Sequence, residues 1–241
     1  MSAALETYDL CARYRRAQVL HGIDFTVQDG EIMAMFGANG AGKSTFLRAV
    51  VRAVSATGQV RSYGTDLSRL STEAIARTGV AHVIEGRGTF GELSVEDNLL
   101  AAQAPRGRKA DRRLFAQWYE RFPILKERRQ QRAGLLSGGE QQMLALARAM
   151  VAEPKLVLMD EPSLGISPKV TKQIYDTVAE LNKESGVSFL IVEQSVDAVA
   201  RIAHSAAVLE TGRIVASGPI ADIVSDPKLR ESYIGSGEDR A

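Results

Sequence analysis

Hydrophobic positions along this chain follow two rhythms. Leu156-Val157-Leu158-Met159 and Ser188-Phe189-Leu190-Ile191-Val192 are nearly unbroken apolar runs, as expected of strands covered on both faces. Ile23 to Gln28 and Glu31 to Phe36 read as strands joined by the turn Asp29-Gly30, and Val80 to Ile84 as a shorter one. Helical spacing runs over Lys43 to Val54, over Val95 to Ala104 behind a Ser94 cap with Asp97 as its capping acid, and over Glu140 to Val151. Pro168 opens a further helix through Leu181, with Gly186 just past its end. Ala206 to Leu209 and Arg213 to Ala216 predict a late hairpin around Thr211-Gly212. The alternation predicts an α/β fold, a mostly parallel sheet with helices on both sides. Beside it, Gln59 to Tyr63 and the N-terminal strands predict an antiparallel β lobe.

Between Pro105 and Arg132 the pattern changes. Arginines and lysines there outnumber Asp111, Glu120 and Glu127, while Leu114, Phe115, Trp118, Phe122 and Leu125 recur near helical spacing. This predicts an amphipathic helical subdomain with a solvated charged face. A basic surface for lipid headgroups or an RNA backbone is the alternative reading. Residues 235–241 read as a frayed tail.

Composition narrows the classes. The chain has 241 residues, and its 30 basic side chains nearly balance 29 acidic ones, so net charge favours neither nucleic acid nor an anionic membrane. No basic start precedes an apolar stretch, and no apolar run reaches about 18 residues. The expectation is a chain that is neither exported nor membrane-spanning. The single Cys11 suits a reducing cytosol and a structural thiol.

Candidate chemistry begins at Gly37-Ala38-Asn39-Gly40-Ala41-Gly42-Lys43-Ser44. Glycines let backbone N–H groups turn toward one anion, and the helix that follows directs its positive end there. Lys43 adds a mobile charge, Ser44 can ligate magnesium, and Thr45 is a further phosphate donor. The complete pattern between an apolar strand and a helix predicts a bound nucleoside triphosphate, ATP or GTP. Asp160 ends a strand where a carboxylate can hold Mg2+ through water, and Glu161 beside it can polarise attacking water as a general base.

A second glycine-rich helix start, Leu136-Ser137-Gly138-Gly139-Glu140-Gln141-Gln142, lacks the lysine and hydroxyl pair of the first. Its Ser137 hydroxyl and exposed N–H groups could cradle a phosphate. Those seven residues alone favour a plain helix cap.

Together, Gly37 to Ser44, Leu136 to Gln142, Leu156 to Glu161 and the following Pro162-Ser163-Leu164-Gly165 resemble, in order and spacing, ATP-binding cassette (ABC) ATPases. The resemblance extends over nearly the whole chain. It implies one phosphate-loop ATPase domain over residues 1–234 with a helical subdomain, about 86–152, inserted in the nucleotide core. It further implies a head-to-tail dimer with a second cassette, the same chain or a paralogue, in which Ser137, Gly138 and Gly139 contact ATP held by the partner. Ser163 to Ser167 resembles the loop crossing between the two sites, and Tyr14 the aromatic residue that stacks on adenine.

Two departures narrow the resemblance. Glu85, within Glu85-Gly86-Arg87, stands where cassettes usually carry glutamine, and Gln194 where they usually carry histidine. Both resemble LivF-type subunits of branched-chain amino acid importers, although Ile84 replaces that group's common proline. Glu85 could help hold magnesium, and Gln194 could donate an amide N–H toward a γ-phosphate without carrying a proton. The implied partners are transmembrane permease subunits, docked against Glu85 to Asn98, at the cytoplasmic face of the cell membrane. The ATPase itself would not touch the solute. Urea, amides and aromatic acids are alternative solutes. A phosphate-loop kinase is disfavoured by Leu136 to Gln142, and a soluble cassette acting on nucleic acid or ribosomes by the absence of coiled-coil insertions or a paired cassette.

Overall fold

The computed structural model describes residues 3–15, 17–104 and 111–229. Two long strands, β1 (Ala3–Tyr14) and β2 (Ala17–Gln28), pair antiparallel. The Asp29-Gly30 turn then leads into β3 (Ile32–Phe36), which leaves that sheet for another. The glycine loop follows directly, then α1 (Lys43–Val50), β4 (Ser55–Ser62), β5 (Thr65–Asp66), α2 (Thr72–Arg77) and β6 (Val80–Val83). Helix α1 stops short of the expected Val54 because Arg52 turns into the left-handed region, at φ 58°.

Next come α3 (Val95–Ala102), α4 (Leu114–Arg121), α5 (Pro123–Glu127), a 3-10 turn over Ala133–Leu135 and α6 (Gly138–Val151). Ser94 Oγ accepts from Asp97 N at 3.0 Å, the expected cap of α3. Then follow β7 (Leu156–Asp160), α7 (Pro168–Ser185), β8 (Ser188–Glu193), α8 (Val196–Val199), β9 (Ser205–Glu210), β10 (Arg213–Pro219), α9 (Ile220–Ser225) and α10 (Pro227–Leu229).

The strands form two sheets. One is antiparallel, in the order β2-β1-β4-β5; the other runs β10-β9-β3-β8-β7-β6, parallel except for the edge hairpin partner β10. Alternation along β3 explains why its run is wholly apolar. Ile32, Ala34 and Phe36 face a core shared with α3, α4, α6 and α7, whereas Met33 and Met35 face a second core shared with α1 and the antiparallel lobe. A strand with two buried faces has no position for a polar side chain.

The arginine-rich stretch folds as an amphipathic unit. Phe115, Trp118, Phe122 and Leu125 are buried against α6 and the sheet. Arg112, Arg113, Arg121, Arg128 and Arg132 pair with Glu96, Asp111, Glu180 and Glu184, Glu140, and Glu92. Such largely exposed pairs add little stability, but they give these five arginines acidic partners. Arg106, Arg108 and Lys109, and the 235–241 tail, lie outside the described residues.

Candidate nucleotide site

The site gathers at the carboxyl ends of β3, β7 and β8. At the end of β3 the loop Gly37, Ala38, Asn39, Gly40, Ala41, Gly42 curls before α1, with Gly40 at φ 84° and Gly42 at 109°. The first turn of α1 then carries Lys43, Ser44 and Thr45. Lys43 is buried, and its Nζ donates to Gly37 O at 2.8 Å and Ala38 O at 3.3 Å. The same Nζ lies 3.2 Å from Glu161 Oε1. The cation therefore sits inside the loop, where a phosphate cradled by backbone N–H groups would meet it.

Ser44 Oγ donates to Asp160 Oδ1 at 2.9 Å. Asp160 is almost fully buried, and its Oδ2 has no hydrogen-bond partner among the described residues. Burial pushes this carboxyl above its usual range, Glu85 and Glu161 add to the rise, and the Ser44 bond opposes it. An unpartnered buried carboxylate oxygen beside a serine hydroxyl fits a divalent cation. Among the described residues no cluster of three acidic, histidine or cysteine side chains could hold a metal. The Ser44 hydroxyl and the free Asp160 oxygen are a donor pair that would suit Mg2+, which takes one or two protein oxygens and fills the rest with phosphate and water.

Glu161 adopts φ 45°, an unusual left-handed conformation for a side-chain-bearing residue. Its N–H donates to Val192 O at 2.9 Å, which ties the end of β7 to β8. Glu193, a residue whose sequence position gave no sign of a role, is buried at the end of β8. It accepts hydrogen bonds from Ser163 N at 3.0 Å and from Tyr175 Oη, so it anchors the loop that follows Glu161. Burial raises the Glu193 carboxyl, and these two bonds partly offset the rise. Gln194 follows immediately and is exposed.

Tyr14 ends β1 with its ring exposed, and its hydroxyl accepts from Arg48 Nη1 of α1 at 3.3 Å. Glu85 is exposed beyond β6, close enough to influence both Arg48 and Asp160 electrostatically.

The second cradle stands apart. No hydrogen bond or ion pair among the described residues joins Ser137, Gly138 or Gly139 to residues 37–45. Ser137 caps α6 by accepting from Glu140 N, and the Glu140 carboxylate returns to accept from Ser137 N at 2.8 Å. The pair is a capping box, Ser-x-x-Glu, in which each residue's side chain accepts from the other's backbone N–H. It fixes one donor of the helix start and leaves the glycines at the surface of the first turn. Gly139 packs on α7: a Cβ there would stand 2.9 Å from Val170 Cγ1.

Comparison with known proteins agrees with this arrangement. The family profile described as ABC transporter matches residues 20–164. The chain is 42% identical, over 92% of its length and 95% of the relative's, to the high-affinity branched-chain amino acid transport ATP-binding protein BraG of Pseudomonas aeruginosa. It is 31% identical, over 96% of its length and 98% of the relative's, to the probable branched-chain amino acid transport ATP-binding protein LivF of Archaeoglobus fulgidus. Among solved structures, a nucleotide-free ATP-binding cassette from an ABC transporter superposes with a TM-score of 0.83 at 26% identity, covering 97% of this chain and 100% of that one.

Proposed function

Because this chain belongs to the ABC transporter family, we propose that it powers uptake of branched-chain amino acids, closing on ATP with a second cassette and reopening on hydrolysis. It is an ATP-hydrolysing transporter subunit. The observation that carries the mechanism is the separation of its two cradles. One has Lys43, Ser44, Asp160 and Glu161 converging within hydrogen-bond reach; the other has only a capped helix start and two glycines. The second cradle therefore serves ATP held by another cassette, either this chain or a paralogue.

Gly37 to Ser44, with Thr45, wrap the phosphates, and Tyr14 offers its exposed ring to the adenine. Ser44 and Asp160 would hold Mg2+, and Glu85, whose charge is felt at Asp160, would assist. When bound, the metal neutralises charge building on the phosphates. ATP phosphates draw Lys43 from Glu161, and the freed carboxylate accepts a proton from attacking water. Gln194 donates an amide N–H to the γ-phosphate. Ser137, Gly138 and Gly139 close over the partner's nucleotide.

Among the described residues no helix is long and apolar enough to cross a membrane, so the solute path belongs to permease subunits. Support for where they dock comes from a groove of about 410 Å³ between β6, α2 and α6, walled by Val51, Ile75, Val80, Ala145 and Ala149. Ile84 lines it, and Phe90 stands exposed nearby with the Arg148 guanidinium 4.6 Å over its ring. An apolar groove of this kind accepts an amphipathic segment. The chain then works as a peripheral subunit at the cytoplasmic face of the cell membrane, without touching the solute.

The test is purification of the native complex with its membrane subunits and measurement of ATP hydrolysis against added solutes. Stimulation by leucine, isoleucine or valine is expected. Association with nucleic acid alone, and no permease, would overturn the reading.

A further inference from the structure

Arg87 stands where the groove and the second cradle meet. Its backbone lies in a run of left-handed residues, Gly86 at φ 75°, Arg87 at 75° and Gly88 at 59°, a region that a residue with a Cβ rarely enters. Arg87 N donates to Ile84 O at 3.1 Å, which closes a tight turn around Glu85. With Ile84 and Gly88, Arg87 lines the groove.

Its guanidinium crosses to the first turn of α6. Nη1 donates to Gln141 Oε1 at 3.3 Å. Nη2 lies so close to Gly138 that a Cβ there would come within 2.6 Å of it, and within 3.9 Å of one on Gly165. Gly138 is not among the glycines with positive φ. The guanidinium, rather than backbone strain, is therefore what crowds a side chain at that position. One arginine thus lines the groove, reaches the cradle and lies beside the loop after Glu161.

The rest of the groove-side loop is laced to the chain entering the cradle. Gly134 N donates to Gly91 O at 2.9 Å, Ala133 N to Leu93 O at 2.9 Å and Val95 N to Gln131 O at 3.0 Å. Residues 91–95 are therefore hydrogen-bonded to residues 131–134, while the left-handed turn at 86–88 lies between them and β6, with Arg148 of α6 donating to Gly88 O. Arg87 bridges that turn with a side chain.

We propose that Arg87 is a positioning residue that sets Gly138 and Gly139 against the Glu85 loop, so that a permease segment displacing the groove-side loop alters how the cradle meets the partner's nucleotide. The permease as source of that displacement rests on the transporter reading above. Arg87 touches no reacting group; it acts through Gly138 and Gln141. A guanidinium suits the role because its fork carries two terminal nitrogens, one beside the glycine and one donating to the Gln141 oxygen.

The experiment has two arms. In the isolated full chain, ATP hydrolysis is measured for wild type, Arg87→Ala, Gln141→Ala and the double variant, with thermal melts to confirm folding. Arg87→Ala should lower kcat by about tenfold, leave the protomer's ATP Kd within about twofold, and make the Gln141→Ala change nearly silent in its background. In the complex with its membrane subunits, leucine stimulation of hydrolysis should fall toward none in Arg87→Ala. Losses that simply multiply in the double variant overturn the proposal, as does an unchanged stimulation ratio. If the wild-type complex itself ignores every solute, the transport reading fails, and the isolated-chain cycle still decides whether Arg87 positions the cradle.

Discussion

Lys43 Nζ lies 3.2 Å from Glu161 Oε1, with side-chain exposures of only 4% and 12%. The cation that a phosphate needs is therefore paired with the carboxylate expected to activate water. On the function proposed above, a phosphate anion entering the loop would compete for Lys43 and release Glu161 at the moment a substrate is present. Lys43 also donates to Gly37 O and Ala38 O, so the loop keeps its curled shape before nucleotide arrives.

Glu161→Gln keeps the shape and removes the base. ATP binding should persist while turnover falls by about 10²- to 10⁴-fold, the range for losing a general base. Single-turnover hydrolysis with a parallel nucleotide titration measures both. Near-normal turnover would exclude Glu161 from this role.

Gly139→Ala should separate the two cradles functionally. The added Cβ would meet Val170 Cγ1 at 2.9 Å and Cγ2 at 3.1 Å, and a branched side chain on α7 has little room to retreat. Nucleotide binding by a single protomer should be unchanged, while ATP-driven pairing is lost. Light scattering with and without ATP reads this directly; ATP-dependent dimers of the variant would refute it.

Gln194 carries no titrating proton, so the pH profile of kcat should lack an imidazole contribution from that position. Gln194→His should introduce one near pH 6.5. A profile identical for glutamine, histidine and alanine at 194 would remove this residue from the site.

His82 predicts an acid limb in stability. Burial pushes it down from 6.5 to about 4, and its Nε2 has no partner among the described residues. The folded state disfavours the protonated ring and the unfolded chain accepts the proton. Stability is therefore whole above pH 6.5 and declines as pH falls toward 4. At pH 5 the loss from this one group is about 2 kcal/mol. Urea unfolding at pH 7.5 and pH 5 should show that decline in the wild type, and His82→Leu should lack it. Equal declines in both would assign the acid limb to other groups.

Lys43, Ser44, Asp160 and Glu161 are legible in the sequence because each sits at a fixed offset from a glycine turn or a strand end. Their neighbours are less so. Glu193 holds Ser163 and Tyr175 from 30 and 18 residues away, and Arg87 reaches Gln141 across 54; no local pattern encodes such distances. Strand β4 begins at Ser55 rather than Gln59 because Gly58, at φ 90°, carries the strand through an irregularity opposite Tyr8 and Cys11. Its Cβ would meet Asp9 O at 2.3 Å, so only glycine fits. A glycine that ends a strand and one that bends it look alike until the partner strand is known. Likewise, Asp29-Gly30 is recognisable as a turn, but not as the point where the chain changes sheets.

That one chain holds halves of two ATP sites is tested most directly by mixing variants. One copy carries Lys43→Ala, which disables the phosphate loop; the other carries Ser137→Ala, which disables the second cradle. Each alone should hydrolyse ATP poorly. Mixed dimers, cross-linked and purified, contain one site built from an intact loop and an intact cradle, and hydrolysis should reappear in them. Mixed dimers that form yet remain as inactive as either parent would contradict the composite site.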